Sequence, residues 1–198
     1  AVADLGTFGA MAANDVRGTL DGVAELVTVN AGVARAYTNR GRLIFTGSLQ
    51  GSPGGLASLA QEAAYSYSVY APDRVRPVEM RASDSAQLVQ WVSNRLKQPV
   101  TLPDLTGSGY RLMGGRLIAT SHGPAAMFMY DDDRGNRLVV LTRPMISEQS
   151  APMAPHSRGD VSGFAWADGG MGYSLMAQAA AEALKPIANE VRRQARTI

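Results

Sequence analysis

GPAAMFMYDDDRGNRLVVLTR, residues Gly123 to Arg143, sets two apolar runs on either side of a polar turn. Pro124 to Tyr130 and Arg137 to Arg143 are long enough for strands, and they are rich in aromatic and β-branched side chains. Asp131 to Asn136, with its Asp, Gly and Asn, has the chemistry of a hairpin turn: these side chains bond their own backbone and tolerate left-handed conformations. The stretch therefore predicts an antiparallel pair.

The same texture recurs on both sides. Tyr110 to Met113 and Arg116 to Ala119 flank Gly114-Gly115, a two-residue hairpin signal. Val161 to Trp166 and Met171 to Met176 flank Asp168-Gly169-Gly170 in a third hairpin. Between the last two, the Pro-rich APMAPHS, residues 151–157, reads as a surface loop.

Helical signals bracket these hairpins. In LASLAQEAAYSYSVY, Leu56, Leu59, Ala60, Ala63 and Tyr67 recur at three- and four-residue spacing, and Pro72 ends the pattern. Residues 83–98 predict a second helix, with Ser83 or Asp84 as N-cap, Gln87 placed for a capping box and Pro99 as the stop. Its buried face is expected to be Leu88, Val89, Val92 and Leu96, with Trp91 at the edge. Gln178 to Arg196 is Ala-rich and helical, with a kink or restart at Pro186. The fold expected is α+β: an antiparallel sheet built of sequential hairpins, flanked by two N-terminal helices and one C-terminal helix. Those helices are expected on one side of the sheet.

Texture also divides the chain. Residues 1–50 are rich in Gly, Ala and Asn and poorly periodic; Leu20, Val23, Leu26 and Val27 suggest one helical face, and Leu43 to Phe45 a short strand. Residues 51–55 belong to the Gly/Ser/Pro-rich stretch GSLQGSPGG and read as a linker. The domain proper is taken as 56–198.

Composition removes several classes. The 198 residues are 45% hydrophobic and 18% charged, which argues against whole-chain disorder. With no cysteine there is no disulfide, thiolate zinc site, iron–sulfur cluster or cysteine nucleophile. Of 19 cationic residues all but Lys97 and Lys185 are arginine, and they are scattered rather than striped, so nucleic acid is not an expected partner. No apolar run reaches the ~18 residues of a spanning helix. Ala1 to Ala10 has no basic n-region and does not read as a signal peptide.

Few residues invite chemistry. Asp131-Asp132-Asp133 lacks the alternating ligands and closing carboxylate of a calcium loop and reads as a solvated turn. Ser121-His122-Gly123 sits in no G-x-S-x-G elbow. Met153 and His156 are the candidate soft metal ligands, suited to Cu(I), while Met127 and Met129 read as core fillers. Tyr65 and Tyr70 are the candidate partner-facing residues of the first helix. No catalytic residues and no cofactor are expected, and the chain is not expected to be an enzyme.

Four strings carry a resemblance. VYAPDRVRPVEMRASDSAQLVQWVSNRL (Val69 to Leu96), PDLTGSGYRLMGGRLI (Pro103 to Ile118), GPAAMFMYDDDRGNRLVV (Gly123 to Val140) and GFAWADGGMGYSL (Gly163 to Leu175) resemble, in order, the extracytoplasmic domain of proteobacterial transmembrane anti-sigma factors. The resemblance covers residues 55–195 and does not extend to 1–50. It implies a regulatory or sensor domain on the periplasmic side of the inner membrane, tethered by a membrane helix. The implied partners are an extracytoplasmic-function sigma factor, held through a cytoplasmic region not in this chain, and a periplasmic protease or signal protein. It implies no oligomeric state. The family's cytoplasmic H-x-x-x-C-x-x-C zinc motif has no counterpart here, since the chain lacks cysteine. The alternatives are a free periplasmic copper- or redox-sensing protein using Met153 and His156, and a small hydrolase built around His122 or His156.

Overall fold

The computed structural model describes residues 54–195 and, before them, the backbone of five short strands. Packing divides the chain into Ala1–Pro53 and Gly54–Ile198. In the first unit β1 (Val2–Asp4) pairs with β2 (Thr19–Asp21), and β3 (Leu26–Asn30), β4 (Val33–Tyr37) and β5 (Leu43–Ser48) form an antiparallel three-stranded sheet. The helical face expected through Leu20, Leu26 and Val27 is strand instead: Leu20 falls in β2, and the β-branched run Val27-Thr28-Val29 favours β3. Val23 and the expected linker residues 51–53 lie outside the described residues. The short strand expected at Leu43 to Phe45 falls within β5.

The second unit is α+β, with a seven-stranded antiparallel sheet, two helices before most of its strands and one after them. Its elements are α1 (Leu56–Tyr70), β6 (Met80–Arg81), α2 (Ser85–Leu96), β7 (Arg111–Thr120), β8 (Gly123–Asp131), β9 (Arg137–Pro144), β10 (Ala151–Arg158), β11 (Val161–Asp168), β12 (Met171–Ala177) and α3 (Ala181–Ala195). The spatial order is β10-β11-β12-β9-β8-β7-β6, so the chain leaves β9, crosses to the far edge and returns inward.

The second and third hairpins stand as expected, β8 with β9 and β11 with β12. The Gly114-Gly115 hairpin does not. Both glycines lie inside the single strand β7, and the chain reverses at Ser121-His122, where Thr120 pairs with Gly123. The glycines serve close approach. A Cβ on Gly114, whose φ is +146°, would collide with the Met80 carbonyl of β6, and one on Gly115 would lie 3.0 Å from Leu88 Cδ2 of α2. The expected loop APMAPHS is also a strand, β10. It is an edge strand, where proline costs no ladder bond on its open side.

Helices cover both faces of the sheet, not one. Gly115, Phe128, Val140 and Leu175 form one row across the strands, and Leu88 of α2 lies over it. Leu59 of α1 lies over Gly172, three residues from Leu175 in β12 and therefore on the opposite face. The α3 helix joins the α2 side: Gln194 exchanges two 2.8 Å bonds with the Asp104 backbone, and the Tyr130 hydroxyl, on the Phe128 face, donates to the Pro103 carbonyl. Two covered faces explain why β8 and β9 read as continuous apolar runs, with Val139 and Val140 both buried.

α1 spans its expected bounds and buries Leu59, Ala60, Ala63 and Tyr67. On α2 the buried set is Leu88, Val92 and Leu96, with Val89 half-buried. The expected capping box is absent. A 3-10 turn, Ala82–Asp84, leads into α2, and neither Ser83 nor Asp84 caps it with a side chain. α3 carries Pro186 within one helix rather than restarting there. Among the described residues no helix is long and apolar enough to cross a membrane.

Candidate functional site

The described domain begins at a buried polar cluster. Arg143, at the end of the apolar strand β9, has a side chain with 0% exposure. Its Nε donates to Glu62 Oε2 at 2.7 Å, and its Nη1 donates to the carbonyls of Gly54 (3.2 Å) and Pro144 (3.1 Å). Glu62 comes from α1. Its other oxygen lies 2.6 Å from Nδ1 of His122, which sits in the β7–β8 turn. Three segments distant in sequence thus meet on one carboxylate. A fourth joins nearby: the first amide of α1, Leu56 N, donates to Glu148 Oε2 at 2.7 Å. That amide is one of the orphan donors of a helix start, and a carboxylate there also suits the helix dipole.

Gly54 is the hinge of this arrangement. Its φ is +75°, and a Cβ there would come within 2.9 Å of Ile146 Cβ and 3.3 Å of the His122 ring. The chain therefore enters α1 through a left-handed residue whose carbonyl is held by Arg143. The arrangement fastens the beginning of the domain to the middle of its sheet. Charge-assisted bonds in a dry setting give such a fastening its strength.

Ser121, His122 and Glu62 do not form a catalytic relay. Ser121 Oγ and Glu62 Oε1 both approach the same ring nitrogen, Nδ1, at 3.2 and 2.6 Å. A relay needs the nucleophile on one ring nitrogen and the acid on the other.

The other residues singled out by sequence are dispersed. Met153 and His156 both lie on β10. His156 sits in register with Gly163, which pairs with Met176, and it lines a groove of 230 Å³ with Met176 and the alanines of α1. Its Nε2 is buried without a partner, and burial holds its pKa below the ordinary imidazole value, partly offset by Glu148. Met153 packs against the core from that strand. Among the described residues no group of three His, Cys, Asp or Glu gathers in metal-binding geometry. Tyr65 is half exposed beneath the Arg158 guanidinium, 3.9 Å from its ring centre, and Tyr70 lies under Arg116 at 3.8 Å.

The aspartates of the β8–β9 turn are turned on their own loop. Asp132 Oδ1 accepts from the amides of Arg134 and Asn136, Oδ2 accepts from the Asn136 side chain, and Asp133 pairs with Arg111 at 2.8 Å. The Asn136 side-chain bond is the main reason the Asp132 carboxyl lies below the usual range.

Glu62 and Arg143 escaped the sequence reading, although each left a trace. Glu62 stands three residues after Leu59, at the edge of the apolar side of its helix, and Arg143 closes the run LVVLTR, apolar before it but for Thr142. A charge in a buried frame asks for a partner, but no spacing says which one.

No family model matches the chain, and no curated protein matches it. Among solved structures it is similar to a chain in the crystal structure of MucB in complex with MucA(peri). The identity is 15% and the TM-score 0.35, over 79% of this chain and 50% of that one. The chain thus spans half the length of the chain it matches, and a likeness of this remoteness carries no functional argument.

Proposed function

We propose that residues 54–195 form the extracytoplasmic regulatory domain of a membrane-anchored anti-sigma factor, acting by protein contact and not by catalysis. The observation that carries this reading is the ordered set of resemblance-bearing strings. They run through α2, β7, the β8–β9 hairpin and the β11–β12 hairpin, and so build one continuous core. The fastening at Gly54 supports a mechanical role. A chain arriving from a membrane segment through residues 1–53 would enter this domain at Gly54, and Arg143 and Glu148 would hold it there. Release of that hold would free the upstream chain for a protease, while the sheet stayed intact. Binding of a sigma factor would belong to a cytoplasmic region upstream of Ala1.

The test is the coding DNA upstream of Ala1 in the source genome. A spanning segment and a sigma-binding region beside a sigma-factor gene would support the proposal. A cleavable signal peptide joined directly to this chain would overturn it and favour a free periplasmic binding protein.

A further inference from the structure

The β6 edge of the sheet borders a cleft of 980 Å³ into which five arginines project: Arg74, Arg76, Arg81, Arg111 and Arg116. Two of them are engaged. Arg111 pairs with Asp133 at 2.8 Å, and Arg116 reaches Glu79 at 3.3 Å while stacked on Tyr70. The guanidinium groups of Arg74, Arg76 and Arg81 are exposed and have no carboxylate, carbonyl or ring partner among the described residues. Arg116 keeps a buried Nε without an acceptor. Elsewhere Arg143 with Glu62 and Arg193 with Glu190 form short ion pairs, at 2.7 and 2.6 Å, although Arg143 Nη2 is buried without an acceptor. Three exposed guanidinium groups without a partner among the described residues therefore line this one cleft.

Apolar surface is interleaved with the charge. Val75, between Arg74 and Arg76, is 85% exposed, and Val78, Leu112 and Met113 line the same cleft. β6 is a terminal strand with a neighbour on one side only. An unpaired strand edge takes an extended chain, alternating apolar side chains fill the hollows, and arginine forks take carboxylates bidentately. Glu79 and Asp131 in the lining interrupt the field and disfavour a continuous polyphosphate.

We propose that this cleft binds an extended acidic peptide segment of another protein. Its Asp or Glu side chains would sit on Arg74, Arg76 and Arg81, and the apolar residues between them would sit on Val75 and Met113. The proposal does not depend on the anti-sigma reading, since it needs only the cleft.

The experiment is fluorescence anisotropy with the full chain and a labelled octapeptide alternating glutamate and valine. Saturable binding in low salt is expected, weakening toward physiological ionic strength, where the screening length is about 8 Å. The double variant Arg74→Glu/Arg81→Glu should weaken it about tenfold or more. Both residues are exposed and unpaired, so circular dichroism and the thermal midpoint should not change. Absence of saturable binding, or binding that the double variant leaves unaltered, overturns the proposal. Binding of phosphatidylglycerol vesicles without binding of the peptide overturns it in favour of an anionic lipid surface.

Discussion

Glu62 and Arg143 lie 81 residues apart in the chain, and the Arg143 Nε donates to Glu62 Oε2 at 2.7 Å. The bond ties α1 to β9 and, through Arg143 Nη1, to the carbonyl of Gly54. Removing one partner strands the other. Glu62→Leu should destabilise the domain by about 3–5 kcal/mol, because Arg143 would remain buried and unpaired. The double change Glu62→Leu/Arg143→Met should recover much of that loss. Urea unfolding of the unaltered protein and the two variants checks this, and equal stability of the single and double variants would refute it.

Arg137 caps the other end of α1. Its Nη1 donates to the carbonyls of Ala71 and Asp73 at 2.5 Å each and reaches that of Tyr70 at 3.5 Å. A cation bonded to helix-end carbonyls suits the helix dipole. Arg137→Ala should cost about 2 kcal/mol. Amide exchange at Ser68 to Ala71 should quicken while β8 and β9 amides hold; unchanged exchange there would argue against the cap.

Gly163 offers a steric test. A Cβ there would fall 1.8 Å from the Leu175 carbonyl of the neighbouring strand, whereas one on the turn residue Gly169 would meet open space. Gly163→Ala should force β11 away from β12 and cost about 3 kcal/mol or more. Gly169→Ala, strained only by its φ of +57°, should cost about 1–2 kcal/mol. Thermal unfolding would separate the two, and a reversed order would contradict the close packing of these strands.

Acid should weaken the domain in two stages. Burial depresses the folded pKa of His156, so the unfolded chain takes up that proton first. The stability it contributes is present above the ordinary value, about 6.5, and is lost as pH falls through the depressed folded pKa. Bonds to Arg193 and Gln194 hold Glu190 at about 2, and Asp73, Asp104 and Asp132 are lowered by bonds to nearby amides and side chains. Their contribution is present above the usual carboxylate range and is lost as pH falls from it toward 2. Replacing His156 with Gln should remove the upper stage alone. If the midpoint of unfolding against pH keeps that stage in the variant, His156 is not its origin.

Local chemistry and long-range packing divide what this chain reveals. The α1 limits, the β8–β9 and β11–β12 hairpins and most of the α2 face follow from spacing and turn residues. Each depends on side chains a few positions apart, and period and turn preference are properties of such neighbours. The Gly114-Gly115 pair shows where this stops. Glycine supplies a turn or a close approach, and only the arrival of β6 and Leu88 decides between them. The β10 edge likewise exists because β11 was there to pair with it, not because APMAPHS favours a strand. The cluster of Glu62, His122 and Arg143 and the gathering of Arg74, Arg81 and Arg111 at one cleft also belong to the tertiary structure. Charged side chains have no periodic signature; their partners are set by which strands the sheet order makes neighbours, and that order is fixed when both faces of the sheet find cover.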